Sequence, residues 1–210
     1  MSQAQGIDVS RYQKEVDWAR VKKAGIHFAF IKATEGRTYV DPLFARNWQA
    51  AGAHGLLRGA YHFFRALAHP LEQAKHFVQT VARGPGDLPL VLDVESNDGL
   101  PPASLQLTVR TCLEAIEDRA GVKPILYTYP GFWEQQMTDD FGEWPLWIAH
   151  YGVQQPRIPR GWKAWTFWQR SAKGRVDGVE GDVDTNVFHG TPEQLTEFVR
   201  KLSGSPSRVV

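Results

Sequence analysis

Short apolar runs alternate with amphipathic segments through the first 130 residues of the chain. Strand-like runs lie at 6–10, 26–33, 56–64, 88–95 and 124–128. Helical patterns separate them at 17–25, 41–53, 70–81 and 101–120. Asp17 can cap the first of these helices, and Gly25 and Gly121 end the first and the last. This alternation of strands and helices predicts an α/β fold with a parallel sheet or barrel.

The pattern changes in the last third of the chain. Runs at 145–149, 164–169 and 183–188 are strand-like, with little helix between them before a final helix at Thr191. The chain length suits one domain with a substantial core. We therefore predict a single barrel domain over residues 1–203, with parallel strands, a helix-poor C-terminal third and an irregular closure. A flexible tail is predicted at 204–210.

Residues 88–95 are the stretch on which the functional interpretation depends. Four of the first five residues are aliphatic, which is typical of a strand buried on both faces. Asp93 and Glu95 follow at i and i+2, so their side chains point the same way, roughly 7 Å apart along the strand. Acids so close push one pKa upward, which is the usual setting for general acid catalysis. The alternative is that one of them only caps the following loop.

Nearly every predicted strand ends in a polar or aromatic residue. In parallel barrels the chemistry lies at the C-terminal strand ends, so these residues are expected to share one rim. Aromatic ring faces can stack on sugar rings but more often fill cores, and Tyr61 and Trp168 are the aromatic residues expected at this rim. Glu35 is a weaker candidate, because Glu-Gly in a loop is often a solvated turn. The candidates are Asp8, Glu35, Tyr61, Asp93, Glu95, Tyr127, His150, Trp168, Gln169 and Asp184.

The acids among these candidates suggest a reaction class. Asp8, Asp93, Glu95 and Asp184 are expected to form one negative cleft. A glycosidase needs two carboxyl groups beside the glycosidic oxygen, one protonated and one ionised. Asp8 and Asp184 have a structural alternative, in which each only caps a turn.

Composition and motifs argue against several other functions. The 210 residues carry a formal net charge of +1, so neither nucleic acid nor an anionic membrane is indicated as a partner. The histidines between 54 and 76 do not share one face, and no metal or cofactor motif occurs, so neither is expected. No Gly-x-Ser-x-Gly elbow is present, and the lone Cys112 lies in a helical pattern as a buried apolar residue. Neither a signal peptide nor an apolar run long enough to span a bilayer is visible.

Seven short motifs occur in an order and at spacings that together are specific. They are GIDVS at 6–10, FIKATEG at 30–36, GAYHF at 59–63, LDVE at 92–95, LWIA at 146–149, FWQ at 167–169 and VDTN at 183–186. In these motifs the sequence closely resembles the family 25 glycoside hydrolases. These are lysozymes that cleave the bond between N-acetylmuramic acid and N-acetylglucosamine in peptidoglycan. The resemblance runs from Gly6 to about Phe188.

The resemblance implies a flattened β/α barrel with fewer helices than a regular eightfold barrel. It also implies that Glu95 is the general acid, and that Asp8, Asp93 and Asp184 position the substrate and stabilise the transition state. The nearby Asp182 is not a candidate, because Asp184 occupies the acidic position of the family's Val-Asp-x-Asn motif. From spacing and family pattern, Asp93 is expected to lie deeper than Glu95 and to stay ionised, which would raise the pKa of Glu95.

The sequence therefore predicts a monomeric muramidase that needs no cofactor and acts on bacterial peptidoglycan strands. Its expected place of action is the cell wall, extracellular or periplasmic, by an export route that the sequence leaves open. Two alternatives remain at this point. One is a non-catalytic glycan-binding barrel, which should have lost an acid. The other is a hydrolase of a different amino-sugar polymer such as chitin.

Overall fold

The structure is a computed structural model that describes residues 2–81, 83–84, 86–138 and 140–203. The tail predicted at 204–210 lies outside the described residues. Strands and helices alternate along the first two thirds of the chain, as the sequence predicts. The strands in the described part are β1 Gln5–Val9, β2 Phe28–Glu35, β3 Tyr39–Val40, β4 Leu57–Phe63, β5 Val91–Asp93, β6 Ile125–Thr128, β7 Leu146–Ala149, β8 Phe167–Gly174 and β9 Val183–Phe188.

Eight of these strands form a closed barrel, because β1 pairs with both β2 and β9. The order around the barrel is β1-β2-β4-β5-β6-β7-β8-β9, and β3 is an antiparallel extension of β2. The predicted parallel orientation holds for the pairs from β1 round to β8. It fails for β9, which is antiparallel to both of its neighbours. The connection from β8 to β9 contains no helix, and a parallel strand would need a longer crossover.

Helices cover the outside of the barrel and contribute to the apolar layer around it. The sequence pattern does not predict α5, a seven-residue helix that begins at Pro130. No α-helix lies between 137 and 191 among the described residues, which confirms the helix-poor C-terminal third. The described helices are α1 Trp18–Lys23, α2 Phe44–Ala53, α3 Pro70–Thr80, α4 Pro102–Ala120, α5 Pro130–Gln136 and α6 Pro192–Ser203.

Alternate residues of each strand point into the barrel, and the lower part of the interior is aromatic. The Phe30 ring stacks on Trp147 with centroids 4.3 Å apart, and it meets Phe167 edge to face at 5.1 Å. Gly59 makes room for this packing, because a Cβ at that position would lie 2.5 Å from the Phe30 ring. This aromatic floor fills the barrel from below, so polar side chains can collect only at the C-terminal ends of the strands.

The layer between barrel and helices is apolar. It includes Cys112 in α4, which is fully buried with a free thiol, as the sequence predicts. Helix α4 ends at Gly121, whose φ of 68° is the left-handed conformation that glycine adopts without strain. Within the described part of the chain, every helix is too short or too polar to cross a membrane.

Candidate active site

A cavity of about 330 Å³ opens at the C-terminal end of the barrel, above the aromatic floor. Strand periodicity explains why its walls are polar. Lys32 comes two residues after Phe30, and Gln169 two residues after Phe167, so each points inward one step higher up the barrel. The cavity is lined by Asp8, Val9, Ser10, Tyr12, Gln13, Lys32, Tyr61, Phe63, Asp93, Glu95, Tyr127, Trp147, Tyr151, Gln169 and Asp184.

The cavity brings together all four acids that the sequence singles out. Asp8 and Asp184 are register partners on the antiparallel pair β1 and β9. Asp93 ends β5, three strands round the barrel from β1. Glu95 lies two residues beyond the end of β5 and is half-buried at the mouth of the cavity.

Asp8 is held by two buried side-chain amides. Gln169 Nε2 donates to Asp8 Oδ2 at 2.8 Å, and Asn186 Nδ2 donates to the same oxygen at 2.7 Å. The two amides come from β8 and β9, so the closure of the barrel by β9 is what completes this arrangement. One carboxylate oxygen is therefore fixed by two donors, which restricts the orientation of Asp8.

Aromatic donors fix the orientation of both amides. The hydroxyls of Tyr127 and Tyr151 donate to Gln169 Oε1, the former at 2.9 Å. The indole Nε1 of Trp147 donates to Asn186 Oδ1 at 2.8 Å. Since each amide oxygen accepts from a group that can donate, each amide nitrogen must face Asp8.

Burial raises the pKa of Asp8 and of Asp184. For Asp8 the main cause is burial and the next is the charge of Asp184, while the amide donors of Asn186 and Gln169 oppose the rise. For Asp184 burial raises the pKa to about 6, against an opposing backbone hydrogen bond. Two acids that face each other across one ladder therefore resist being charged together.

The pKa of Glu95 is raised as well. Burial is the main cause, the ammonium of Lys32 opposes it, and the charge of Asp184 adds to it. A half-buried carboxyl that keeps its proton to higher pH than usual is suited to act as a general acid.

Two further cavities adjoin the first, one on each side. One of about 470 Å³ shares Glu95 and Tyr127 with it and extends to His150. The other, of about 500 Å³, shares Tyr12 and Lys32 with it and extends towards β3. The three form a continuous groove across the rim, with the acids in the middle, which is a shape that suits an extended polymer.

Comparison with known proteins places the chain in a family. The model for "Glycosyl hydrolases family 25" matches residues 7–179. The chain belongs to glycosyl hydrolase family 25. It is therefore a glycoside hydrolase, as the sequence predicts, and its barrel is the mixed α/β barrel of that family.

Curated relatives and solved structures of family 25 match nearly the whole chain. It is 46% identical over 206 residues to "Uncharacterized protein YegX" of Escherichia coli O6:H1, covering 96% of this chain and 75% of that protein. It is 39% identical over 211 residues to "Lysozyme M1" of Streptomyces globisporus, covering 92% and 70%. The crystal structure of the bacterial lysozyme from Streptomyces coelicolor superposes with a TM-score of 0.90 at 38% identity, covering 96% and 99%.

Asp93 departs in one respect from what the sequence predicts for this family 25 enzyme. It does lie deeper than Glu95: it is 6% exposed, and its Oδ1 has no hydrogen-bond partner among the described residues. Burial raises its pKa well above the usual range, and the charge of Glu95 raises it further against the opposing charge of Lys32. The expectation that Asp93 stays ionised and thereby raises the pKa of Glu95 is therefore not supported.

Four of the candidate binding residues of the family 25 enzyme lie in the groove, distributed over its three cavities. Tyr61 and Tyr127 line the central cavity. His150 lines one flanking cavity, where its Nδ1 accepts from the backbone N–H of Arg157 at 3.0 Å. Glu35 lines the other. Gln169 touches the central cavity but is 3% exposed, so it acts on Asp8 rather than on a ligand directly.

Trp168 is not in the groove, and its predicted place at the rim is wrong. It lies between the inward-pointing Phe167 and Gln169, so strand alternation turns it to the outside of the barrel. There it is 5% exposed, packs against Trp165, and donates from Nε1 to the carbonyl of His150 at 2.9 Å. Its role is to hold the loop after β7 against β8.

Several groove residues are not among the sequence candidates. Lys32 is the most informative, because its Nζ lies 2.8 Å from Glu35 Oε2 and its charge opposes the raised pKa of both Glu95 and Asp93. The sequence does carry a signal for it: a lysine inside an apolar strand, in phase with Phe28 and Phe30. Tyr12, Phe63 and Trp147 also line the central cavity without being candidates, and Asn186 binds Asp8 from behind it.

Asp182 and the possibility of a metal site are the last two points that the structure addresses. Asp182 lies off the cavity and forms an exposed ion pair with Arg175 at 3.0 Å, which agrees with its exclusion on the motif. In the described ranges, no group of three or more His, Cys, Asp or Glu side chains is arranged to hold a metal ion.

Proposed function

We propose that this family 25 enzyme hydrolyses the β-1,4 bond between N-acetylmuramic acid and N-acetylglucosamine in bacterial peptidoglycan, with Glu95 as the general acid. The observation that carries the proposal is the acid cluster: four carboxyls with raised pKa values in one cavity, of which Glu95 is half-buried at the mouth. The lysozyme names of the two Streptomyces relatives support the choice of substrate.

In this mechanism Glu95 donates its proton to the glycosidic oxygen as the C1–O bond breaks. The sugar at C1 develops positive charge, which the carboxylates around the cavity stabilise. Water then supplies the hydroxyl at C1, and Glu95 regains a proton. Burial disfavours the carboxylate and raises the pKa of Glu95, so Glu95 keeps its proton to higher pH than an exposed glutamate does.

The other acids have complementary roles in the proposal. Asp8 is fixed in orientation by two amides and faces Asp184 across the β1–β9 ladder, so the pair positions the sugar and stabilises its charge. Asp93 lies below Glu95 and lines the same cavity. Tyr61 and Tyr127, on the two strands that flank β5, bound the sugar, and His150 and Glu35 contact units further along the glycan. The enzyme works as a monomer, without a cofactor, on the cell wall outside the cytoplasm.

The bond that is cleaved can be read directly from the products. Purified peptidoglycan is digested, reduced with borohydride and analysed by mass spectrometry. We expect every new reducing end to be N-acetylmuramic acid. New N-acetylglucosamine ends, or peptides released from intact glycan, would contradict the proposal, and faster turnover of chitin oligomers would indicate the other amino-sugar polymer.

Glu95→Gln tests the general acid. The amide keeps the shape but cannot protonate a leaving group, so we expect turnover of peptidoglycan to fall by about 10²–10⁴-fold. An activated aryl glycoside, which leaves without a proton, should be affected much less if the cavity accepts it. Glu197→Gln on α6, where Glu197 pairs with Arg200 on the surface, is the matched control and should keep full activity. Near-normal activity of a folded Glu95→Gln variant would rule out this role.

A further inference from the structure

The flanking cavity beside β3 differs in charge from the acid-lined centre. We call it the basic groove and define it by Arg11, Tyr12, Lys32, Tyr39 and Arg65, which line its walls. Arg37 and the acids Glu35 and Asp41 line it as well, so its cations outnumber its acids by four to two. It is continuous with the central cavity, because Tyr12 and Lys32 line both. A polymer that extends from the centre towards β3 therefore contacts the basic groove.

Most cations of the basic groove already have carboxylate partners. Lys32 pairs with Glu35 at 2.8 Å, and Arg65 pairs with the same Glu35 at 2.6 Å. Arg37 at the edge pairs with Glu72 at 2.7 Å. Arg65 also pairs with Asp98 at 3.5 Å, so three carboxylates face these three cations.

Arg11 is different, because no carboxylate pairs with its guanidinium among the described residues. Its Nη1 donates to the Tyr39 hydroxyl at 3.2 Å and its Nη2 to the Tyr12 hydroxyl at 3.3 Å. Its Cζ lies 5.1 Å from the Tyr12 ring centroid and 5.6 Å from that of Tyr39. Two neutral rings thus hold the cation while leaving its charge uncompensated and some of its five N–H donors free.

The backbone around Arg11 is also fixed. Its N–H donates to Asp41 Oδ2 at 3.0 Å, and the short turn Arg11–Gln13 begins with a cap in which Ser10 N donates to the Gln13 side chain at 2.9 Å. Arg11 follows Asp8 by three residues, so the end of β1 presents a catalytic-site acid and this cation on adjoining parts of the groove. An oriented, unneutralised guanidinium is the arrangement that recognises a carboxylate in a bidentate manner.

We propose that Arg11, held between Tyr12 and Tyr39, binds a carboxylate of the stem peptide that N-acetylmuramic acid carries in peptidoglycan. The inference rests on the proposed function, since it names a further part of that substrate. Stem-peptide carboxylates are repelled by the four acids of the central cavity and attracted by the basic groove. The charge pattern therefore orients the substrate strand, with one peptide directed towards β3.

Binding measured in a catalytically impaired background tests this inference independently of hydrolysis. Glu95→Gln and the double variant Glu95→Gln with Arg11→Gln are titrated with soluble glycan strands that bear stem peptides and no phosphate polymer. We expect loss of Arg11 to weaken binding by roughly 3–10-fold, as for a solvent-accessible charge pair. After the peptide carboxylates are converted to amides, the two proteins should bind within about twofold of each other.

Matched variants separate charge from fold. Arg46→Gln removes a surface arginine that pairs with Glu15 away from the groove, and it should bind both strands as its parent does. Arg11→Lys should recover part of the lost affinity, because lysine keeps the positive charge but not the planar, bidentate guanidinium. On native strands the Arg11→Gln variant should show a raised KM with kcat little changed.

Three results would overturn the inference. Equal weakening on native and amidated strands would mean that Arg11 contacts something other than a carboxylate. If loss of Arg11 does not weaken binding of native strands, the basic groove does not bind the stem peptide through Arg11. An effect confined to walls that carry phosphate polymers would assign Arg11 to phosphate instead. None of these depends on which bond is cleaved, so a failure of the proposed function would show separately in the reducing ends.

Discussion

At the scale of single residues, the orientation of Asp8 is fixed by a network of side chains around the cavity. Three aromatic donors hold two amides, and both amides donate to one oxygen of Asp8. Each link has a defined donor, so the network has one arrangement. Gln169 and Asn186 are therefore positioning residues. Their buried amides donate to Asp8 and so offset part of the cost of burying its carboxylate.

Replacement of Gln169 tests this role. In Gln169→Met the donor to Asp8 is lost at similar side-chain length, and a hydrogen bond that lowers the pKa of Asp8 disappears. The pKa of Asp8 should rise further, so the acid limb of the kcat/KM profile should move to higher pH while kcat falls about tenfold. Gln135→Met, at an exposed position of α5, is the control and should change neither. A uniform loss of activity at all pH values would indicate a purely structural role.

At the scale of elements, β8 shows how strand alternation divides structural from functional residues. Phe167 belongs to the aromatic floor, Gln169 orients Asp8, and Trp168 between them faces outward. The sequence prediction relied on proximity to a strand end, which does not tell whether a side chain points into the barrel or out of it. The alternation of residues along the strand does tell this. On β2, Phe28, Phe30 and Lys32 are two residues apart and point the same way, and the lysine identifies that face as the one that reaches the site.

Trp168 gives a prediction at this scale. Because it is buried on the outside of β8, Trp168→Ala should lower the free energy of unfolding by about 3–5 kcal/mol, as expected for a large buried aromatic residue. Urea titration would measure this. The folded fraction should retain most of its turnover on peptidoglycan. Tyr12→Ala, whose side chain is 74% exposed, is the stability control. Unchanged stability with weakened turnover would restore Trp168 to a role at the rim.

Most of the elements could be predicted from the sequence, and the exceptions have physical reasons. Long periodic segments such as α4 ended where the pattern placed them, with Gly121 at the C-cap. The seven residues of α5 and the two of β3 are too short for periodicity to register. The direction of β9 depends on which strand it pairs with, a long-range property that no local pattern encodes. The four acids, Tyr127 and Gln169 were identified because they lie at or near the ends of predicted strands, whereas Asn186 and Trp147 lie within strands and were not.

At the scale of the whole molecule, charge is distributed unevenly around a nearly neutral chain. The net charge is +1, yet the centre of the groove collects four acids and one flank collects arginines and a lysine. The acids are buried together by the closure of the barrel, which raises the pKa of each. Clustering of this kind opposes folding and is tolerated because the rest of the barrel is well packed.

The contribution of these four acids to stability should therefore depend on pH in a direction opposite to that of ion-paired carboxylates such as Glu197, whose pKa is lowered by its hydrogen bond with Arg200. A carboxyl whose folded pKa lies above its unfolded value, near 4, binds more protons when folded, so stability falls as pH rises through the interval between the two values. For Asp184 that interval runs from about 4 to about 6. For Asp93, whose pKa is raised well above its usual range by burial, the interval begins near 4 and extends further up.

Asp93→Asn separates stability from activity. It removes a buried ionisable carboxyl whose Oδ1 has no hydrogen-bond partner among the described residues, so it should stabilise the fold at pH 7 by about 1 kcal/mol, or roughly 2–4 °C in Tm. Below about pH 4, where the carboxyl is protonated in both states, the gain should vanish. Thermal melts at pH 3.5, 5 and 7 measure this, with the exposed Asp118→Asn as a control that should leave Tm unchanged. Turnover of peptidoglycan should fall at any pH where Asp93 of the parent enzyme is ionised, because the variant then has less negative charge beside Glu95. A lower Tm at pH 7 would instead mean that the charge of Asp93 stabilises the folded state, and that the acids of this cavity do not oppose folding.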